Sequence, residues 1–223
     1  MNRMMITSSN TMGQLQKKLE TVSNNISNTS TTGVKRKETY FSDMLAQEFN
    51  NQERTEKEKG RLTPNGIRVG VGAKMSQSQL NLAQGNLQNT ERDLDVALTN
   101  ENLFFAIRTA DGTSNELGYT RDGAFYLSPA SDGSNQVQLV TSNGSAVLDE
   151  NNQEIRINGN PSDITFTDKG QLNVTTENGT QSFNLGIISV KKPQFMEMIN
   201  NNTFTLPKNM AQLNVSENDI YTQ

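Results

Sequence analysis

Residues 103–127, LFFAIRTADGTSNELGYTRDGAFYL, contain the pattern that decides the fold. Leu103–Arg108 is a short apolar run of β type, and residues 111 and 112 (Asp-Gly) lead from it to Tyr119 and Thr120. Residues 121–123 (Arg-Asp-Gly) form a second turn sequence before the next apolar run. Asp-Gly pairs between short apolar runs are typical of antiparallel hairpins. This stretch therefore predicts hairpin-connected strands.

The same alternation of short runs and turn residues extends through most of the chain. The further predicted strands are Ile67–Val71, Ala124–Leu127, Val137–Val140, Ala146–Leu148, Ile164–Thr167, Leu172–Thr175 and Phe183–Val190. Asn-Gly or Lys-Gly pairs follow several of these runs, as expected for hairpin turns. The pattern predicts a mainly β region, built as a meander or a partly closed barrel, and not an alternating α/β fold.

A helix with a coiled-coil seam is predicted before the β region. Apolar residues and one serine recur at alternating steps of three and four, at Met5, Ser8, Met12, Leu15, Leu19, Val22 and Ile26. The pattern ends near Gly33, which suits a chain leaving helical geometry. A lone helix of about 25 residues needs a partner to be stable in water. Packing on its own domain is one solution, and the strict heptad spacing favours a coiled-coil seam.

The region between helix and strands is predicted to be a linker. The spacing of Phe41, Met44, Leu45 and Phe49 suggests the start of a second short helix, and Asn50–Lys59 has no apolar residue and reads as a solvated loop. Residues 1–74 carry 12 basic and 7 acidic side chains, whereas residues 75–223 carry 8 and 17. This asymmetry suggests regions with different roles. The predicted organisation is α+β: an axial helix and its signature at 1–33, a linker and extended arm at 34–75, and a β-rich domain at 76–223.

The composition excludes several classes of function. The chain has 223 residues with no His, Cys or Trp, and 45 of them are Asn or Gln. Ser-His-Asp and Cys-His catalysis, Cys/His zinc sites and disulfides are therefore excluded. The net charge of −4 disfavours nucleic acid as a partner. The apolar runs are too short to span a bilayer, and residues 1–13 lack the continuous apolar core of a cleaved secretion signal.

The remaining candidates for chemistry are better explained as turns. The carboxylate pairs Asp93/Asp95 and Asp149/Glu150 have no aromatic platform near them in sequence of the kind that glycosidases use. Gly70 and Gly72 do not form a dinucleotide-binding fingerprint, and strand geometry explains them. We therefore predict no catalytic, cofactor-binding or metal-binding residue.

Four motifs together resemble one known family. Residues 24–36 (NNISNTSTTGVKR), joined to the heptad helix, resemble the N-terminal signature of bacterial flagellar rod and hook proteins. Residues 84–98 (QGNLQNTERDLDVAL), 119–125 (YTRDGAF) and 139–149 (LVTSNGSAVLD) resemble later motifs of that family in the expected order. Each motif is weak alone, and the four in order make a specific match.

The resemblance implies a structural subunit of the flagellar basal-body rod, with no catalysis. Such subunits are exported by the flagellar type III apparatus without a cleaved signal peptide, and they polymerise with themselves and other axial subunits into a hollow shaft that transmits torque. The implied functional residues fall into three groups. They are the polymerisation seam (Met5, Met12, Leu15, Leu19, Val22, Ile26), the signature (Asn24, Asn25, Asn28, Thr32, Gly33, Lys35) and the hairpin motif (Tyr119, Thr120, Arg121, Asp122, Gly123, Phe125).

Two departures and two alternatives accompany this interpretation. The chain reads Asn-Glu-Asn at 100–102, where the family usually has a glycine-rich segment. Nothing after Val190 has heptad spacing long enough for the second helix with which the family closes, so that helix is expected to be absent. A hook protein or rod-to-hook adaptor is an alternative within the class. A secreted carbohydrate-binding or carbohydrate-active β protein is the alternative from a different class.

Overall fold

A computed structural model describes residues 2–43, 47–49, 67–70, 72–109, 116–130, 136–167, 169–200, 202–207 and 220–222. The N-terminal helix, α1, runs from Asn2 to Ser27, as the heptad pattern predicts. The predicted loop at 50–59 and the turn residues 111 and 112 lie outside the described residues. Among the described helices, none is both long enough and apolar enough to cross a membrane.

The rest of the described chain is mainly strands, which confirms the α+β fold class. The strands are β1 (Lys37–Asp43), β2 (Gln47–Phe49), β3 (Ile67–Val69), β4 (Ala73–Leu80), β5 (Leu103–Arg108), β6 (Leu117–Thr120), β7 (Phe125–Pro129), β8 (Gln136–Thr141), β9 (Ala146–Val147), β10 (Arg156–Asn158), β11 (Pro161–Phe166), β12 (Gln171–Thr176), β13 (Gly179–Asn184), β14 (Ile187–Val190), β15 (Glu197–Asn200), β16 (Thr203–Thr205) and β17 (Tyr221–Thr222). The sheets stay open and do not close into a barrel.

The chain divides into two compact units. The first comprises residues 1–27 and 37–79, and the second comprises 28–36 and 80–223. In the first unit β1 pairs with β4 and β2 pairs with β3. The second short helix predicted from Phe41 is therefore wrong, because Phe41 lies in β1. The local spacing favours a helix, but pairing with a strand more than 30 residues away stabilises the extended conformation.

In the first unit α1 turns a polar side towards the paired strands. The amide of Asn25 donates to the carbonyl oxygen of Lys37 at 2.9 Å, and its oxygen accepts the Lys37 N–H at 3.1 Å. The Gln14 side-chain oxygen accepts the N–H of Met75 at 3.1 Å. The half-buried positions of the helix, Thr7, Thr11, Gln14, Thr21 and Asn25, form a polar stripe.

The second unit contains the core. Its main sheet has the strand order β10-β8-β9-β5-β6-β16-β15, with β7 beside β8 and β14 beside β5, and β11, β12 and β13 form a separate sheet. One side of β5 packs against that smaller sheet, since Phe105 and Ile107 share a cluster with Leu172 and Val174. The other side, through Phe104, packs against Tyr119 and Phe204. Burial on both sides explains why residues 103–107 form a continuous apolar run.

Candidate functional site: the junction between the signature loop and the hairpin motif

The signature and the hairpin motif, 90 residues apart in sequence, meet in the second unit. We call this contact the junction, formed by the loop 28–36 and the turn Arg121–Gly123. The hydroxyl of Thr32 donates to Asp122 Oδ1 at 2.8 Å. Asn202 donates through Nδ2 to the other carboxylate oxygen, Oδ2, at 3.0 Å, and the N–H of Ala124 donates to Oδ1 at 3.1 Å. Each oxygen of this buried carboxylate therefore accepts at least one hydrogen bond, as a buried charge requires.

Gly33 brings the two backbones together at the junction. Its φ is +71°, a conformation that residues with a side chain rarely adopt. A Cβ atom there would lie 2.5 Å from the Asp122 nitrogen and 2.7 Å from the Arg121 carbonyl carbon. Both neighbours are backbone atoms that cannot rotate away. Glycine is therefore required here for both the conformation and the close approach.

Two buried cations complete the junction and bind backbone carbonyl groups. Lys35 Nζ donates to the carbonyl oxygens of Leu82 at 3.0 Å and Ala83 at 2.8 Å. Burial, and secondly the positive charge of Arg121, lower the pKa of Lys35 to about 8, while the negative charge of Glu101 opposes this shift. Lys35 therefore ties the signature loop to the segment that follows β4.

Arg121 serves several carbonyl groups at once. Its guanidinium donates to the carbonyl oxygens of Leu98 at 3.2 Å and Leu103 at 3.3 Å, and also to the Glu101 carbonyl and the Gln84 side chain. Burial lowers its pKa from the usual value, and arginine remains charged at neutral pH. A planar group with five donors suits this task, because the carbonyls come from several turns of the loop 84–103.

The other residues of the hairpin motif anchor the turn in the core. Tyr119 and Phe125 are fully buried, and the Phe125 ring meets Phe105 edge to face at 5.2 Å. The Thr120 hydroxyl donates to the carbonyl oxygen of Asn202 at 2.8 Å. A Cβ at Gly123 would overlap the carbonyl oxygen of Val96. The motif that the sequence singled out is therefore a structural corner.

The signature residues do not all reach the junction. Asn28 and Lys35 are buried in the second unit, whereas Asn24 and Asn25 belong to α1 in the first. Sequence reasoning missed Asn202, which completes the set of donors to Asp122. The run of three asparagines at 200–202 is typical of a turn, and it does not point to a partner 80 residues away.

The predicted seam residues lie together on α1 and face solvent. Their exposed fractions run from 43% for Val22 to 74% for Met5, with Leu15 at 53% and Leu19 at 69%. The seam lies one residue, or about 100° around the helix, from the polar stripe. Apolar side chains normally lie on the face of a helix that packs against the protein core. Here the polar stripe is the half-buried side, and the apolar seam is left exposed.

The polar contacts of the junction link two segments of the chain to each other. Among them, no cluster of three or more carboxylate, His or Cys side chains has the spacing to hold a metal ion. The charged groups of the junction are held by carbonyl oxygens, hydroxyls and amides. They fix a loop against a turn.

Two family models match the chain. The model for flagella basal body rod proteins matches residues 5–35, and the model for the FlgE/F/G D1 domain of flagellar hook proteins matches residues 100–174. The first match covers the seam and most of the signature. The second covers the whole hairpin motif.

Individual relatives extend these matches over most of the chain. The flagellar hook-basal body complex protein FlhP of Bacillus subtilis is 42% identical over 208 residues, covering 92% of this chain and 76% of that protein. The basal-body rod protein FlgG of Borreliella burgdorferi is 32% identical, covering 92% of this chain and 73% of FlgG. FlgG of Buchnera aphidicola from Acyrthosiphon pisum is 31% identical, covering 76% of this chain and 59% of that protein.

Proposed function

The chain belongs to the flagellar basal-body rod protein family, and from this premise we propose that it is a structural subunit of the rod, polymerising with its own copies and with other axial subunits into a hollow shaft that transmits torque. Members of this family are structural components of the flagellum and not enzymes. We further propose that the subunit reaches the basal body through the flagellar type III export apparatus.

The observation that carries the polymerisation proposal is the exposure of the seam. Met12, Leu15 and Leu19 each present more than half of their surface to solvent on one side of α1. Moving such a side chain from full exposure to full burial contributes about 1.5–3 kcal/mol of favourable free energy. A heptad stripe of this kind is the usual contact surface between helices. In the assembled rod these side chains pack against helices of neighbouring axial subunits.

The test is complementation of a deletion strain, read by electron microscopy of isolated basal bodies. The deletion should leave basal bodies without a complete rod and cells that do not swim. The double variant Leu15→Asp/Val22→Asp places two charges in the seam and should fail to restore either. Gln16→Asp/Ser23→Asp is the matched control, because it adds the same charges at the same spacing on exposed positions one residue further along. It should restore both.

Two results would contradict the proposal. Complete rods in the deletion strain would show that the subunit is not required for the shaft. Full rescue by the seam variant, with the protein incorporated, would show that the seam is not the assembly surface.

A further inference from the structure

The seam of α1 carries methionine at its N-terminal end. Met5 and Met12 are seam positions. Met4 lies on the same side of the helix, because a whole number of turns separates it from the seam residue Val22. The seam positions in the C-terminal half of the helix are leucine, valine and isoleucine. We call Met4, Met5 and Met12 the thioether site.

The thioether site is open to solvent. Met4 is 81% exposed, Met5 is 74% exposed and Met12 is 69% exposed. The other three methionines in the described part of the chain are half-buried or buried, and Met196 is 7% exposed. The chain has no cysteine, so its sulfur chemistry is that of thioethers alone. Oxidation of a sulfur atom requires access for the oxidant, and exposure therefore selects these three residues.

A peroxide oxidises a thioether by transferring one oxygen atom. A lone pair of the sulfur attacks a peroxide oxygen, so that an S–O bond forms while the O–O bond breaks. The sulfur loses two electrons and the peroxide gains them. The proton on the transferred oxygen then passes to the departing hydroxide, and water is released. The product is methionine sulfoxide, a polar group that methionine sulfoxide reductases convert back to methionine.

A sulfoxide in the seam has different consequences before and after a helix packs on it. On the exposed side of α1 its oxygen is hydrated, so the single subunit loses nothing. Between packed helices the oxygen needs a hydrogen-bond donor, because an unpaired polar group is costly to bury. The seam offers one hydroxyl, that of Ser8, among apolar side chains that donate nothing. Oxidation therefore opposes packing of the seam and leaves the fold intact.

We propose that peroxides oxidise the thioether site reversibly to methionine sulfoxide, and that this modification prevents the subunit from entering the rod. The inference rests on the proposed function, in which the seam is buried between axial subunits. The sulfur atoms are accessible in the single subunit, and a packed seam excludes the oxidant from them. Oxidation therefore acts on the unassembled subunit, and reduction of the sulfoxides restores it.

The first test measures oxidation of each methionine. Purified full-length protein is treated with hydrogen peroxide, and the sulfoxide at each position is quantified by mass spectrometry of its peptides. The thioether site should be oxidised at least about tenfold faster than Met196, because Met196 is buried. At the stage when only the thioether site is oxidised, the melting temperature should be nearly unchanged. Equal rates at all four positions would overturn the proposal.

The second test replaces the thioether site in the deletion strain. Met4→Gln/Met5→Gln/Met12→Gln imitates the oxidised state, because glutamine is polar and carries a carbonyl oxygen. Met4→Leu/Met5→Leu/Met12→Leu is the matched control, since leucine is apolar and contains no sulfur. Methionine, glutamine and leucine have similar helix propensities. The glutamine variant should form at least about tenfold fewer complete rods, and the leucine variant should restore them.

The third test adds the oxidant during assembly. The unsubstituted chain and the leucine variant are each induced with sublethal hydrogen peroxide in a deletion strain that also lacks methionine sulfoxide reductases. Complete rods should become at least about threefold fewer with the unsubstituted chain and should be unaffected with the leucine variant. Equal losses would show that peroxide acts elsewhere, and they would overturn the proposal.

Other outcomes separate this inference from the proposed function. Complete rods with the glutamine variant, while Leu15→Asp/Val22→Asp forms none, would overturn the inference and leave the proposed function standing. A lower melting temperature in the glutamine variant would show that the site stabilises the subunit itself, and loss of rods in the leucine variant would show that methionine is needed for another reason. Either result would overturn the inference. Complete rods in the uncomplemented deletion strain would instead contradict the proposed function.

Discussion

Replacing Gly33 by alanine should destabilise the second unit by several kcal/mol. Two costs add at this position. The left-handed conformation at φ +71° costs about 1–2 kcal/mol for a residue with a Cβ. The new methyl group would lie 2.5–2.8 Å from three backbone atoms of Arg121 and Asp122, where ordinary contacts begin near 3.4 Å. Relief requires backbone movement, and overpacking of this kind costs about 1–3 kcal/mol.

Gly144→Ala provides the matched control for this prediction. Gly144 has a similar φ of +78°, and a Cβ there would meet no atom within 4 Å. The control therefore carries the conformational cost alone. At about 2–4 °C per kcal/mol for a chain of this size, we expect the melting temperature to fall by roughly 2–8 °C for Gly144→Ala. For Gly33→Ala the two costs sum to about 2–5 kcal/mol, so we expect a larger fall, of roughly 4–20 °C.

The assay is thermal unfolding of the purified chain, followed by far-ultraviolet circular dichroism, because the strands dominate the described structure and the chain has no tryptophan. Gly33→Ala should also weaken protection of the Ala124 amide in hydrogen exchange, since moving the loop disturbs the Asp122 carboxylate that binds it. Equal falls in melting temperature for the two variants would refute the close-contact argument. A smaller fall for Gly33→Ala would do so more strongly.

Three further changes test the charged groups. The pKa of Lys35 is about 8 in the folded state and 10.5 in the unfolded state, so the unfolded state binds more protons between about pH 8 and 10.5. The free energy of unfolding, measured by urea titration, should therefore rise with pH across that window. Lys35→Met should reduce this rise. Arg121→Lys should cost about 2–4 kcal/mol in the same titrations, because an ammonium group cannot reach the carbonyls that the guanidinium serves, and a loss below 0.5 kcal/mol would contradict this. Hydrogen bonds from Arg156 and Arg108 lower the pKa of Glu154 in the folded state. The contribution of Glu154 to the free energy of unfolding is therefore fully present above pH 4.5 and is lost as the pH falls through the lowered folded pKa. Glu154→Gln should make the free energy of unfolding fall less steeply as the pH is lowered through this range.

The sequence predicted the elements that local patterns specify. The heptad spacing located α1, and turn residues located β5, β8 and β12 close to their observed bounds. Local patterns failed where distant pairing decides the structure. Phe41 lies in a strand because residues 37–43 pair with β4. The predicted single strand Phe183–Val190 is interrupted at Gly186, whose N–H donates to Leu148 at 2.9 Å and whose carbonyl oxygen accepts the Ala106 N–H at 2.7 Å.

The candidate site was predictable only in parts. The resemblance identified the signature and the hairpin motif as separate segments. Nothing in either segment indicates that Thr32 reaches Asp122 across 90 residues, or that Asn202 joins them. Hydrogen bonds between polar side chains depend on which turns the sheet brings close together. The local sequence of each turn does not indicate which other turn it will contact.

The residues that stabilise the subunit are different from those of the seam, which we propose to contact neighbouring subunits. Buried aromatic residues such as Phe104 and Phe125 pack within the second unit, and the junction is satisfied by groups of the same chain. The seam contributes little to either, because Leu15 and Leu19 remain mostly in water. A charge placed in the seam should therefore abolish assembly and leave the melting temperature of the subunit nearly unchanged. Truncating Phe125 should instead lower the melting temperature of the subunit. This difference follows from exposure alone: a side chain that buries little area in the monomer loses little when it is replaced. The apolar surface of the seam therefore remains in water in the single subunit, and the partner helix that we propose would bury it.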